Sequence, residues 1–416
     1  MSINAFPDSI KAIIQNGILE RTFQEALTPE FLYRQLATPR PFQSNLGETV
    51  IFTRTGLLAP VNTPLAPGAD PTPQNYSIEQ YSMTLNQYGN AMDTNMLTSA
   101  IALASKFLED NTKLAINAGQ SLNTICRDKL YSAYLSGNTF AVGGATTSST
   151  SLVVNDVNGF GTVMVNGQQV AISANNPLPI TINGVANTVT AVNTSTNTLT
   201  LGTSATWADG DPVIAANAPR ILRPNAKTTY NKLASSDVAS LSVFLDAVAY
   251  LRQNNVPTIG GYYVAHVDAV TERQLFADAD FKQAMIGRVD SPIYQGLSIG
   301  RFAGIDWVRN TQAPTITNSA GITVRRPIVV GSDALIEGPL EGFGNLLGGT
   351  GIPNASSPGI VTMVNGIAVI HRPPLDRLQQ IISSAWSWVG DFAVPTDSLT
   401  GTAAQYKRAV VVEHAG

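Results

Sequence analysis

The chain has little charge, almost no cysteine and no long apolar run. Charged residues make up 13% of its 416 positions, about half of the roughly 25% usual in soluble domains. Lys and Arg number 25 against 29 Asp and Glu, a net charge of −4, which excludes a protein that condenses nucleic acid by charge. Apolar residues reach 44%, so low charge does not here signal disorder. It points instead to surface covered by something other than water, such as sister subunits. The single cysteine, Cys126, excludes an intrachain disulfide. No window offers about 18 uninterrupted apolar residues, so no membrane-spanning helix is expected. Met1 to Pro7 lacks the basic start of a secretory signal, and the expectation is a soluble protein made in a reducing compartment.

Within that frame the chain falls into segments of distinct character. Ile10, Ile13, Ile14 and Ile18 have helical spacing, with Asp8 or Ser9 as cap and Gly17 as a weak point. Thr28-Pro29 starts a second short helix through Leu36, ended by Pro39 and Pro41. Two strand-like runs follow, Thr49 to Arg54 and Tyr81 to Leu85. Between them Pro60, Pro64, Pro67, Pro71 and Pro73 forbid a sheet or helix interior. The result is a long two-stranded arm with a stiff, irregular tip. Such an isolated ribbon is marginal in water and needs another surface to lie on.

From Leu97 to about Leu135 there is no proline and one glycine, Gly119. Ile101, Ala104, Leu108, Ala115, Ala118, Leu122 and Ile125 keep a three-four spacing, with Asn111 in the vacant slot, which predicts one long amphipathic helix. Thr98 or Ser99 caps its start and Gly137 its end. Leu103, Phe107, Leu114 and Leu130 sit off that seam, favouring a sheet over a single helical partner.

Composition then changes. Tyr131 to Pro219 holds three charges, Asp156, Asp209 and Asp211, where the chain average would place about twelve; this marks a separate unit. Short alternating runs (Leu152–Val154, Thr162–Val165, Gln169–Ile172, Pro179–Ile182, Thr188–Val192, Thr198–Leu201) alternate with turns, and Asn166-Gly167 and Asn183-Gly184 are strong hairpin signals. A small β-barrel or sandwich inserted into a larger domain is predicted. Beyond Arg220, helices over Val238–Leu251 and Asp268–Met285 mix with strands at Gly261–Val267, Phe302–Val308, Pro327–Val330, Ile381–Val389 and Ala409–Val412. Gly338–Pro358 is glycine-rich, and Asn365-Gly366 turns a further hairpin.

Catalytic signals are sparse. Gly296-Leu297-Ser298-Ile299-Gly300 matches a nucleophile elbow, with His371 and His414 downstream. A true elbow follows a strand and opens a helix, whereas Ser291-Pro292 precedes this one and a strand follows it. A glycine turn is the preferred reading; a serine hydrolase using Ser298 is the alternative from another class. Gly342-Phe343-Gly344 with Gly348 has the wrong spacing for a dinucleotide loop. His266, His371 and His414 are far apart, and no Cys/His spacing suggests zinc. Asp278 and Asp280 read as solvated charges. Arg325-Arg326 and Lys407-Arg408 are too few for a nucleic-acid stripe, and Trp386 and Trp388 read as core or interface. No catalytic, cofactor-binding or metal residue is assigned.

Three stretches carry a resemblance. Gly260-Gly261-Tyr262-Tyr263-Val264-Ala265-His266-Val267-Asp268 through Leu275, then Ser298-Ile299-Gly300-Arg301-Phe302-Ala303-Gly304-Ile305, then Asp376-Arg377-Leu378-Gln379-Gln380 ahead of Ser384-Ala385-Trp386-Ser387-Trp388, resemble in kind and order the major capsid proteins of tailed double-stranded DNA phages (Caudoviricetes) with the Hong Kong 97 fold. The resemblance implies an α+β protein: an N-terminal arm (1–45), an extended β loop (46–96), a spine helix of the peripheral domain (97–137), an inserted small all-β domain (138–219), and the axial domain with the rest of the peripheral domain (220–416). It implies a structural, non-enzymatic coat protein that self-assembles into hexamers and pentamers as an icosahedral head, with no cofactor. Its partners would be further copies of itself, a separate scaffolding protein, portal, a decoration protein, and packaged double-stranded DNA contacted without specificity; no membrane is involved. The setting would be the virion capsid, assembled in the bacterial cytoplasm. Thr55 to Gln80 contains no lysine, so the loop-to-neighbour crosslink of some members is not expected. An encapsulin-type compartment shell is the alternative with the same fold.

Overall fold

A computed structural model describes residues 17–43, 47–55, 58, 60–76, 78–95, 103–285, 300–347, 360–374, 377–378, 380–395 and 407–416. Helices and several sheets mix along the chain. They form two compact units, one of 1–50, 82–129 and 335–393, the other of 51–81, 130–334 and 394–416.

The first unit is built on a six-stranded sheet. Its path runs Ala37–Pro39, Leu335–Pro339, Ile381–Ala393, Ile367–Arg372, Ile360–Val364, and Asn86–Asn95 also pairs with Ile381–Ala393. That last pairing is antiparallel over ten residues, from Ile381 opposite Asn95 to Gly390 opposite Asn86. Trp388 is fully buried and lies between the rings of Tyr88 and Phe392.

The long helix spans Leu103–Tyr134, about 48 Å at about 1.5 Å per residue. It meets the sheet through Asn117, whose Oδ1 accepts Trp386 Nε1–H at 3.1 Å, and through Lys129, paired with Asp391 at 2.9 Å. Its buried stripe is wider than the predicted seam. Phe107, Leu114 and Leu130 are buried, while Leu108 and Ile125 are only half-buried, because the helix packs on more than one surface. The expected caps Thr98 and Ser99 and the apolar Ile101 lie outside the described residues.

The second surface is the N-terminal segment. Sequence reading leaves it with little core of its own, yet Leu19, Phe23, Leu27, Phe31, Tyr33, Leu36 and Phe42 are buried. The helix actually described is Ile18–Leu27, following Gly17 with its φ of 64°; the apolar positions 10 to 14 lie outside the described residues. Thr28–Glu30 and Arg34–Leu36 are single 3₁₀ turns rather than one continuous helix. Phe31 between them has φ −83° and ψ 83°, which is not helical.

In the second unit one sheet runs Ile221–Leu222, Ala409–Val412, Ile328–Val330, Tyr263–Val267, Ile305–Arg309, Arg301–Phe302. Ala409–Val412, near the chain end, is wholly buried inside it. Helix Leu241–Gln253 packs on this sheet through Phe244, Ala247, Val248 and Leu251. The helix expected over Asp268–Met285 is two, Ala269–Ala277 and Ala279–Met285. Asp278 interrupts it in an extended conformation, and its carboxylate accepts the Leu241 backbone N–H at 2.7 Å. It thus serves the start of a different helix.

The charge-poor segment forms a second six-stranded sheet in this unit, in the order Asn138–Phe140, Pro212–Ala215, Leu178–Ile182, Val185–Asn193, Thr198–Trp207, Ala145–Val153. A bridge between Ala141 and Val154 joins its two ends, with Val142 N–H donating to Val153 O at 2.9 Å. The sheet therefore closes around its own core of Leu152, Phe160, Ile180, Val189, Leu199 and Val213. A separate hairpin, Thr162–Val165 with Gln168–Ala171, stands beside it.

Candidate assembly ribbon

Strands Thr49–Thr55 and Ile78–Thr84 make a two-stranded sheet of their own. Alternation gives it two different faces. Phe52, Arg54, Glu79, Tyr81 and Met83 point to one side and are buried or half-buried; Thr49, Ile51, Thr53, Thr55, Ile78, Ser82 and Thr84 face water. Near its middle Phe52 stacks on Tyr81 with centroids 5.4 Å apart. Arg54 is buried, and its Nη2 donates to the Asp333 carbonyl at 2.9 Å. Asp333 in turn pairs with Arg408 at 3.0 Å. Burial, and then repulsion from Arg408, lowers the Arg54 pKa. A guanidinium still keeps its proton at any working pH, so this end of the ribbon is clamped by a fixed charge.

The tip is different. Every described residue between Leu58 and Tyr76 is exposed. Val61 is 68% and Leu65 60% exposed, with Ile51, Leu58, Tyr76 and Ile78 also open to solvent. From Gly56 to Ser77 the only charged residue is Asp70. The backbone is shaped locally: Ala69 N–H donates to Ala66 O at 3.0 Å, and Gly68 has φ 82°, a Pro67-Gly68 turn of the type that needs positive φ at its second central residue. Exposed apolar side chains with a single charge among them are costly to leave in water, and a long connection whose described residues form no helix or strand is often a functional loop.

The residues considered for catalysis are placed elsewhere. Ser298 and the turn from Gly296 to Ile299 lie outside the described residues, as do Gly348, Asp376 and Gln379. His371 is buried, its Nδ1 within 3.0 Å of Ser384 Oγ and its ring against Phe107. Burial lowers its pKa to about 4, so it is neutral; His266 is lowered to about 4 for the same reason. His414 contacts Thr271 Oγ1 at 2.8 Å, and Thr271 Oγ1 donates to Asp268. Arg325 pairs with Asp268 and Arg326 with Glu413, both at 2.9 Å, so neither is offered to a nucleic acid. Among the described residues no His, Cys, Asp and Glu cluster suits a metal ion, and no helix is long and apolar enough to cross a membrane.

Comparison with protein-family profiles and with curated sequences finds no match. Comparison with solved structures finds distant similarities, with TM-scores below 0.5 for those described next. The capsid of Ralstonia phage GP4 shares 13% identity, with 92% of this chain and 87% of that chain covered and a TM-score of 0.49. The capsid asymmetric unit of cyanophage Pam1 shares 12%, with 94% and 92% covered and a TM-score of 0.48. The mature capsid of bacteriophage PhiM1 shares 8%, with 92% and 86% covered and a TM-score of 0.48. All three are phage capsid structures.

Proposed function

We propose that the chain is a coat subunit of a phage head, and that the ribbon is the part that lies on a second copy. The exposed, almost uncharged tip from Leu58 to Tyr76 is the observation that carries this reading. Chains of five prolines and scattered Leu, Val and Tyr gain little by standing in water, and many identical neighbours supply the missing surface. The low overall charge supports the same reading, since a subunit surrounded by copies needs little charged surface. In this proposal the segments are an arm (1–45), an extended loop (46–96), a spine helix (97–137), an inserted all-β unit (138–219) and a two-part body (220–416). Hexamers and pentamers would close an icosahedral shell in the bacterial cytoplasm, assembled with a scaffolding protein and portal. Motor-packaged double-stranded DNA needs no basic lining, in keeping with a net charge of −4.

The test is production of the full chain with and without a co-expressed scaffolding protein, followed by negative-stain microscopy. Closed shells are expected with the intact ribbon and none when 58–76 is replaced by a short Gly-Ser turn. Monomers under every condition with the intact chain would overturn the proposal.

A further inference from the structure

The hairpin Thr162–Val165 and Gln168–Ala171 turns at Asn166-Gly167, with φ of 50° and 78°, the left-handed pair of a type I′ turn. Its base is anchored. Val163 is buried in the core of the closed sheet, Val165 and Ile172 pack against that core, and Ile172 N–H donates to Gly161 O at 3.1 Å. Its tip ends on the ribbon. Gln80 N–H donates to the Gly167 carbonyl at 2.8 Å, and Gln168 Nε2 lies 3.4 Å from Gln80 Oε1. A Cβ on Gly167 would stand 2.0 Å from the Ile78 carbonyl oxygen, so the two backbones meet where only glycine fits.

A second Asn-Gly turn provides the comparison. Asn183-Gly184 has φ of 47° and 84°, the same turn in the same segment, yet nothing lies within 4 Å of a Cβ placed there. Turn chemistry therefore does not explain the close approach at Gly167. Strand Ile78–Thr84 belongs to a two-stranded sheet, so among the described residues one of its edges has no strand beside it, and the hairpin tip occupies one donor on the strand. A two-stranded ribbon is too weak to hold its own direction, whereas a hairpin rooted in a closed sheet is stiff.

We propose that the 162–171 hairpin is a brace that sets the direction in which the ribbon tip is presented to a second copy of the chain, with Gly167 as its positioning residue. The second half of this statement rests on the reading of the ribbon as an assembly contact; the first half does not.

Three variants of the full chain test it. Gly167→Asn keeps a residue that tolerates positive φ but adds a Cβ against Ile78. Gly184→Asn adds the same strain where nothing is touched. Deleting Met164, Val165, Gln168 and Gln169 keeps the Asn-Gly turn and the strand parity while withdrawing the tip by about 7 Å. Hydrogen exchange of the Gln80 amide is followed by mass spectrometry, and particles by microscopy. Gly167→Asn and the deletion are expected to speed Gln80 exchange on the order of tenfold, leave strands 178–193 protected, and give few or misshapen particles. Gly184→Asn is expected to match the parent. Parental Gln80 exchange in both the Gly167→Asn and deletion variants, or equal acceleration in Gly184→Asn, would overturn the brace. Fast Gln80 exchange with normal particles would overturn its role in presentation. Absence of particles from the parent chain would instead count against the coat-protein reading, and the exchange comparison would still decide the brace.

Discussion

The side-chain oxygen of Asn123 accepts the backbone N–H of Tyr33 at 2.7 Å, and both residues are fully buried. The same oxygen takes the Leu32 N–H at 3.1 Å. One turn of backbone between two 3₁₀ pieces is thereby held by a single amide on the long helix. Asn111, three turns earlier, donates to the Leu19 carbonyl at 3.1 Å. Asn111 and Asn123 of this helix are thus clasps for the N-terminal segment.

Replacing Asn123 with Ala therefore takes away the side-chain acceptor of the buried Tyr33 N–H, at about 1–3 kcal/mol, while the Leu32 N–H keeps the Glu30 carbonyl at 3.1 Å. The expected result is a lower urea midpoint for the first unit and new trypsin cleavage at Arg34, whose side chain is otherwise held by Glu337 at 2.5 Å. An unchanged midpoint with Arg34 still resistant would show that the clasp contributes nothing.

Gly119 lies between the two clasps and tests a conflict of effects. On an exposed helix, Gly→Ala gains about 1 kcal/mol of helix propensity. Here an added Cβ would sit 2.6 Å from Glu30 Cβ and 3.2 Å from the Leu27 carbonyl oxygen. Backbone cannot yield as a side-chain end can, and overpacking typically costs about 1–3 kcal/mol. Gly119→Ala is expected to destabilise, measured by denaturant titration; a stabilised variant would mean that the segment shifts freely on the helix.

These contacts mark what could be read from the sequence. Asn166-Gly167, Asn183-Gly184 and Asn365-Gly366 all turn hairpins with two positive φ values, because that preference is local. Of the six short runs expected between 152 and 201, four lie wholly in strands, and Leu152–Val154 and Gln169–Ile172 each run one residue past theirs. Strand Asn86–Asn95 could not be seen, since Asn, Gln, Gly and Asp carry no strand signal; its form comes from ten residues of pairing with Ile381–Ala393. Leu335–Pro339 hides behind Gly338 and Pro339, yet Gly338 is where Phe42 and Met83 close over the backbone. Asn111 looked like a gap in a seam and is a buried donor. The exposed ribbon tip was legible from its prolines. Gly167 was legible as a turn residue, but nothing in the sequence announces what it touches.

Glu413 is buried between Arg223, at 2.7 Å, and Arg326, at 2.9 Å. Burial alone would raise its pKa, and the two guanidinium groups together outweigh that and lower it. Its contribution is thus present above the unfolded carboxyl pKa of about 4.3 and lost as pH falls through the lower folded value. Glu413→Gln removes the counter-charge of two arginines, at a cost of about 3–5 kcal/mol. Thermal unfolding at pH 7 should show this loss, and the gap to the parent should narrow toward pH 3.

The buried histidines act in a higher window. His266 and His371 are held neutral, with pKa values near 4, whereas unfolded histidine takes its proton near 6.5. Between those values the unfolded chain binds protons that the folded chain refuses, so stability is full above about 6.5 and falls down to about 4. Each histidine accounts for about 3 kcal/mol by the lower limit. Urea unfolding from pH 7.5 to 4.5 should show the slope, and His371→Gln should make it shallower while the His266 part remains; an equal slope in the variant would place the titration elsewhere.

The ribbon tip separates folding from association most directly. Val61 and Leu65 touch no buried core and are 68% and 60% exposed, so Val61→Asp with Leu65→Asp should change subunit stability by no more than about 0.5 kcal/mol. On a neighbouring copy the same two carboxylates would be taken out of water without partners, which is strongly unfavourable. Light scattering should therefore report lost assembly while thermal unfolding of the subunit is unchanged. Because only Asp70 is charged between Gly56 and Ser77, assembly of the parent through this tip should respond weakly to salt between 0.05 and 0.5 M, roughly the range over which surface ion pairs are screened. Normal assembly of the double aspartate variant would count against the tip as a contact between copies.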